Sequence, residues 1–307
     1  MTPKSLPGMD LKSTIMLLAL AVVWGGSFFL AAIALREVGP LTITMHRVMW
    51  AVPVLGLIVW LKGITFPRSW RVWGAYLVMG ALNNAIPFSL IFWGQTRIES
   101  GLVSILNGTT AMFGAVIAGL ILKDEPLTAR KLGGAALGIA GVAFIMGPQA
   151  LTEFDPRNLA QIAILGAAFS YAVAGVWGRT QLGAQPPLMN ALGMLVGSSV
   201  LMIPIVLFTD GVPDISLTPG TWAALLGLAV LSTSLAYILY FAILARAGAA
   251  NLFLVTLLIP PFAICLGVLF LGERMGPEAW VGFAIIALGF AVNDGRLFSR
   301  FWGKPSP

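Results

Sequence analysis

"GAVIAGLILKDEPLTARKLGGAALGIAG", residues 114–141, and "FAICLGVLFLGERMGPEAWVGFAIIALG", residues 262–289, fall on one another when the chain is shifted by 148 positions. The shift pairs Gly119 with Gly267, Glu125 with Glu273, Gly134 with Gly282 and Gly141 with Gly289. Each copy reads the same way: an apolar helix, a short turn holding an acidic residue, then a second apolar helix rich in glycine. Chance rarely aligns that many positions, so the chain carries an internal duplication.

Working outward from the repeat, apolar stretches recur along all 307 residues, of which 58% are hydrophobic and 10% charged. A soluble domain carries about 25% charged residues, so this composition belongs to a membrane protein. Spans are expected at 14–35, 41–61, 70–93, 99–122, 129–147, 158–179, 187–208, 219–244, 250–271 and 278–294. Turns at Gly39-Pro40, Glu125-Pro126, Gly147-Pro148, Gly211 to Pro213 and Gly276-Pro277 separate them. Lys4 and Lys12 precede the first span, which lacks an obvious cleavage site and outruns a signal peptide's apolar core, so it is expected to be retained. The fold class that follows is an all-α integral membrane protein of ten transmembrane helices. Residues 1–150 form the first five-helix repeat and residues 151–307 the second. Five is odd, so the two copies cross the membrane in opposite senses, an inverted-topology repeat.

Basic residues set the orientation, because Lys and Arg accumulate on the cytoplasmic side. With the N-terminus inside, the inner segments hold Lys4, Lys12, Lys62, Arg68, Arg71, Lys123, Arg130, Lys131, Arg179, Arg246, Arg296, Arg300 and Lys304. The outer segments hold only Arg36, Arg97, Arg157 and Arg274. Both termini are therefore expected in the cytoplasm of a cell with the protein in its inner membrane. The net charge of +6 reflects this topology; the basic residues are scattered and form no nucleic-acid-binding run. One cysteine, Cys265, allows no disulfide within the chain, and one histidine, His46, allows no two-histidine metal motif. No GxxxxGK stretch appears and no acidic residue falls near a span centre, so neither catalytic groups, metal nor cofactor are expected. The expected partners are a small-molecule substrate and lipid, with the protein a monomer or homodimer.

Polar groups inside spans should face inward, and the repeat tests which of them matter. The 148 shift sets Asn84 on Ser232, Ser89 on Tyr237 and Phe92 on Tyr240. Helical spacing groups Asn84, Phe88 and Phe92 on one face, and Thr233, Tyr237 and Tyr240 on another, an aromatic wall with polar handles. Asn84 and Ser232 are expected in the cavity. Pro87 and Pro260 each remove a backbone donor and should leave the carbonyls of Asn83 and Thr256 without their usual partners, open to an ammonium group. Trp24 and Tyr171, one position off the shift, are placed to stack on a ligand. Trp60, Trp70 and Trp73 lie near span ends as interfacial anchors, while Gly134, Gly138, Gly282 and Gly289 suit close helix packing.

The stretch "LALAVVWGGSFFLAAIALREVGPLTITMHRVMWAVPVL", residues 18–55, resembles the opening of the drug/metabolite transporter superfamily, EamA type. It has Trp24-Gly25 in the first helix, Pro40 at the turn and Arg47 in the second helix. The run from Arg97 to Ile145 and its partner in the second half resemble that family's fourth helix, acidic turn and glycine-rich fifth helix. The resemblance implies ten helices, a substrate path between the halves, and export of small metabolites or amino acids. It departs at helix 4, where "NGTT", Asn107 to Thr110, stands in place of the proline that helix 9 keeps as Pro260 and Pro261. Because Arg47 matches a family position, it is read as a lock at the outer gate. It lies roughly 8 to 9 Å below the outer end of its helix, and either snorkels outward or pairs with a carboxylate, Glu99 at the outer start of helix 4 being the best candidate. His46 is either an amphipathic side chain satisfied near the interface or a protonatable coupling group. The whole reads as a secondary transporter exporting small amphipathic metabolites, amino acids foremost, by alternating access. A passive channel and an intramembrane enzyme are the other classes.

Overall fold

The computed structural model describes residues 10–122, 127–146, 156–247, 252 and 254–294. Lys4, Lys123, Arg296, Arg300 and Lys304 of the charge count lie outside the described residues, as do the Glu125-Pro126 and Gly147-Pro148 turns and the boundary at 150. The described chain is helical, in the order α1 (Leu11–Ala34), α2 (Pro40–Leu61), α3 (Trp70–Gln95), α4 (Ser100–Ile121), α5 (Ala129–Met146), α6 (Pro156–Leu182), α7 (Pro187–Thr209), α8 (Pro219–Ala247), α9 (Val255–Leu271) and α10 (Pro277–Asp294). Eight of these helices are long and apolar enough to cross a membrane, and α9 and α10 supply two shorter apolar ones.

Local chemistry sets the ends. Proline is the first residue of α2, α6, α7, α8 and α10, where its missing N–H costs no helical bond. Asp10 caps α1 by accepting from the Ser13 N–H at 2.8 Å, and Arg246 joins it at 2.9 Å. Those Ser13 bonds first, and Arg246 after them, hold the Asp10 carboxyl down at about 2. Gly211 and Gly272 follow α7 and α9 at φ 81° and 69°, backbone that a side chain would strain.

Three of the described helices carry π-turns and a fourth is broken. In α3 the segment Ala81–Ala85 is a π-turn, just before Pro87; in α8 the segment Val230–Leu235 is one too, with no proline near it; α9 closes on a third, Gly267–Leu271. The first two occupy matching places in the two halves. Helix α4 breaks between Asn107 and Thr110, where the hydroxyls of Thr109 and Thr110 donate to the carbonyls of Leu106 and Asn107 at 2.6 and 2.7 Å. The break thus forms at "NGTT" without a proline, whereas α9 runs as α-helix through Pro260 and Pro261, contrary to the expected break at Pro260.

Packing bears out the duplication. The principal pairs between the halves are α1 with α8 and α9, α6 with α3 and α4, α2 with α7 and α8, α3 with α7, α4 with α9, and α5 with α10. Exchanging each helix for its partner five places along returns the same set, which is what a pseudo-two-fold axis requires. Helices α5 and α10 meet through glycine: a Cβ on Gly289 would sit 2.7 Å from the Gly134 carbonyl oxygen, and one on Gly141 2.9 Å from that of Gly282. Late α5 thus faces early α10, so the two run antiparallel, and their backbones touch as small residues permit. Gly289→Leu is expected to lower stability by about 1 to 3 kcal/mol through overpacking. A lower melting midpoint in detergent checks it, with the lipid-facing Ile139→Leu as the neutral control.

Candidate functional site

One end of the bundle carries Lys12, Lys62, Arg68, Arg71, Arg130, Lys131, Arg179 and Arg246; the opposite end carries Glu37, Glu99, Asp210, Asp214, Glu273 and Glu278 with Arg36, Arg97, Arg157 and Arg274. Between the halves lies a cavity of about 660 Å³. Its lining includes Arg179 and Leu182 at the end of α6, Asn190 at the start of α7, and Leu252. These residues bring it to the basic end, and it reaches inward as far as Arg47, Phe92 and Ser104.

Ties between the halves hold the opposite end together. Thr42 donates to Asp210 at 2.7 Å across the starts of α2 and the loop after α7. Glu37 accepts from the N–H and hydroxyl of Thr218 at 2.9 and 2.6 Å, bonds that hold its carboxyl below the usual glutamate range. Glu273, the described member of the repeated acidic pair, accepts from the hydroxyl and N–H of Ser100 and from the Gly101 N–H, satisfying the first donors of α4.

Most of the expected aromatic wall comes together. Trp24, Phe88, Phe92, Tyr171, Tyr237 and Tyr240 all line the cavity. Trp24 and Tyr240 lie 6.0 Å apart between ring centroids, Phe88 stacks on Phe92 at 6.2 Å, and Phe88 meets Tyr171 edge-on at 6.5 Å. Phe241, missed in the sequence, joins the wall against Tyr240 at 5.1 Å.

Asn84 is not in the cavity, and Asn83 takes its place. Asn84 is fully buried against α7, donating to Ser198 at 3.3 Å and accepting from the Tyr237 hydroxyl at 3.2 Å. Counting back four residues from Phe88 gives Asn84, but the π-turn adds a residue to the turn, so the residue five back inherits the face. The same count from Tyr237 gives Ser232, which lines the cavity, although its hydroxyl donates to the Val23 carbonyl at 3.1 Å. Asn83 in turn donates to the Tyr237 oxygen at 3.1 Å, so this phenol is engaged on both sides within the protein.

Arg47 neither snorkels outward nor pairs with Glu99. Glu99 binds Arg157 at 2.7 Å instead, at the bundle's edge. Arg47 is 6% exposed and turns inward: its Nε donates to the Thr233 hydroxyl at 3.0 Å, its Nη2 to the Ser232 carbonyl at 3.3 Å, and its guanidinium lies 3.9 Å over the Phe88 ring. Depth along the helix had suggested the outward path; the π-turn of α8 supplies acceptors on the inward one. His46 does not line the cavity. Its Nδ1 accepts from the Trp50 indole at 3.0 Å, its ring meets Trp222 edge-on at 5.6 Å, and its Nε2 has no partner among the described residues. Neither Pro87 nor Pro260 lines the cavity, while Thr256 does. Asn107, at the break in α4, lines it with an Oδ1 that has no partner among the described residues. Among the described residues no cluster of metal-binding side chains occurs.

Known proteins resemble this chain in sequence and fold. The chain matches the EamA-like transporter family over residues 11–147 and again over residues 158–293. It is 27% identical to an "uncharacterized transporter" of Archaeoglobus fulgidus, over 94% of this chain and 99% of that protein. It is 25% identical to a "probable amino-acid metabolite efflux pump" of Escherichia coli, over 96% of this chain and 98% of that one. A solved crystal structure superposes with a TM-score of 0.67 at 17% identity, covering 94% of this chain and 98% of the other, and shows the shared fold.

Proposed function

Because the chain belongs to the EamA-like transporter family, we propose that it is an inner-membrane secondary transporter exporting small amphipathic metabolites, foremost amino acids with aromatic or other apolar side chains. The observation that carries this reading is the central cavity, which reaches the basic end and is tied shut at the other by bonds between the halves. Under the positive-inside rule the basic end is cytoplasmic. The cavity then stands open to the cytoplasm, the loading state of an exporter, and rocking of one half on the other would present the same site outside.

Its size suits a ligand of amino-acid dimensions with room for water. The wall of Trp24, Phe88, Phe92, Tyr171 and Tyr240 favours an apolar or aromatic body, and the Asn107 Oδ1, without a partner among the described residues, is an acceptor for an amino group. Among the described residues the acidic side chains sit at helix ends and loops, which favours a facilitator driven by the substrate gradient over coupling through an intramembrane carboxylate. A sealed end favours a carrier over a passive channel.

The test is counterflow in liposomes holding the purified full-length protein. Vesicles preloaded with unlabelled phenylalanine should take up labelled phenylalanine transiently above equilibrium, with saturation. Uptake that rises linearly with concentration and shows no overshoot would assign a channel.

A further inference from the structure

We propose that Arg47 is the anchor for a carboxylate in the central cavity, so that a carboxylate on an apolar or aromatic body is the group this site requires. The proposal rests on the transport reading above and assigns the chemistry that reading leaves open.

A guanidinium carries five N–H donors and keeps its charge in a protein. The structure accounts for two of them, Nε on the Thr233 hydroxyl and one N–H of Nη2 on the Ser232 carbonyl. Nη1 has no hydrogen-bond partner among the described residues, and the side chain, 6% exposed, lines the cavity. The Nε side of the fork is thus held by α8, and the Nη1–Nη2 end is left for whatever enters.

Among the described residues the charge is also uncompensated. The described acidic residues, Asp10, Glu37, Glu99, Asp210, Asp214, Glu273, Glu278 and Asp294, all lie at helix ends or in loops, and Glu99 is taken by Arg157. What surrounds Arg47 is neutral: the faces of Phe88 and Phe92 at 3.9 and 5.8 Å, with the phenols of Tyr171 and Tyr237 near enough to interact electrostatically. A cation over aromatic faces is partly stabilised, yet an unpaired charge inside the membrane remains costly. A carboxylate arriving end-on at Nη1 and Nη2 supplies the missing counter-charge with two parallel charge-assisted bonds, in a site whose walls strengthen them. The same charge repels an amine that has no carboxylate. Of the two arginines in the described lining, Arg179 sits at the cavity mouth at the end of α6 and Arg47 at the inner reach against the aromatic wall, so that wall offers one guanidinium, which fits one carboxylate rather than a multiply charged anion.

A tie between α2 and α8 would need only the Nε and Nη2 bonds, and both would survive without any ligand. The two roles therefore separate by ligand chemistry. Four probes share one phenyl body: phenylalanine, 3-phenylpropanoate, its neutral amide, and phenethylamine. Titrated calorimetrically into the full-length protein in nanodiscs, the two carboxylates should bind about tenfold to a hundredfold more tightly than the amide and the amine, the range for a charged hydrogen-bonded contact. Arg47→Gln should bring the carboxylates down to the level of the amide and leave the amide where it was. If that variant fails to fold, Arg179→Gln, which alters the other arginine of the described lining, takes its place: the carboxylate preference should persist in it, and its loss there overturns the anchor. Phenethylamine binding as tightly as phenylalanine, or a carboxylate preference undiminished in Arg47→Gln, overturns the anchor while leaving transport standing. Failure of all four probes to bind, with no counterflow, overturns both.

Discussion

Gly175→Trp is expected to abolish transport and leave the protein folded. Gly175 lies in α6, lines the cavity, and is one of the few described helical glycines where an added Cβ would meet no atom within 4 Å. The open space there is the cavity itself, so an indole grown from this position occupies the path between the halves rather than displacing a neighbour. Gly178, one turn on, is tighter, with the Met79 side chain 3.3 Å from such a Cβ. Replacing a glycine inside a helix also removes conformational freedom from the unfolded chain, so the melting midpoint should hold or rise. The matching control is Gly74→Trp: it too meets nothing within 4 Å, but it lies outside the cavity near the exposed start of α3. Tryptophan is at home near a membrane interface, and that variant should transport normally. Counterflow retained by Gly175→Trp, with its melting midpoint unchanged, would move the path elsewhere in the bundle.

How far the site was legible follows from which physical signals a linear sequence carries. Span positions came through because hydropathy over about 20 residues is a long signal, and the duplication because Gly134, Gly141, Gly282 and Gly289 are held by backbone contact between α5 and α10. The aromatic wall was legible for a related reason: Phe88 and Phe92, like Tyr237 and Tyr240, lie on the same side of their π-turns and keep ordinary helical spacing. Asn84 was misplaced because it lies inside a π-turn, where the 3.6-residue period fails by one residue. With the turn included, Asn83 rather than Asn84 is the counterpart of Ser232, under a shift of 149. Proline marked the turn in α3 but not the one in α8, so no composition signal covers both. Arg47 was misdirected for another reason. A long side chain near the start of a helix can turn either way, and the acceptors that draw it inward, Thr233 and the Ser232 carbonyl, belong to a helix 185 residues further on. Glu99 looked free only because Arg157, its partner, is distant in sequence.

Linking Thr42 to Asp210 should stop transport reversibly and leave binding intact. The two side chains meet at 2.7 Å, joining the start of α2 in one half to the end of α7 in the other, on the side where the cavity is shut. If the site alternates, these groups must part in each cycle, together with Glu37 from Thr218 and Glu273 from Ser100. None of those contacts is strong enough alone to hold the state against ligand, since a single hydrogen bond contributes only about 0.5 to 3 kcal/mol net. A covalent link removes that freedom. Cysteines at both positions, bridged by a short bifunctional methanethiosulfonate in a Cys265→Ala background, supply it; the background matters because the native thiol is exposed. Counterflow should vanish on bridging, return on reduction, and be unaffected in either single-cysteine protein. Ligand titrated from the basic end should still bind, because the cavity remains open there. Counterflow that continues through the bridged protein would mean that the halves do not separate at this end, and the alternating-access reading would give way to a path that never closes.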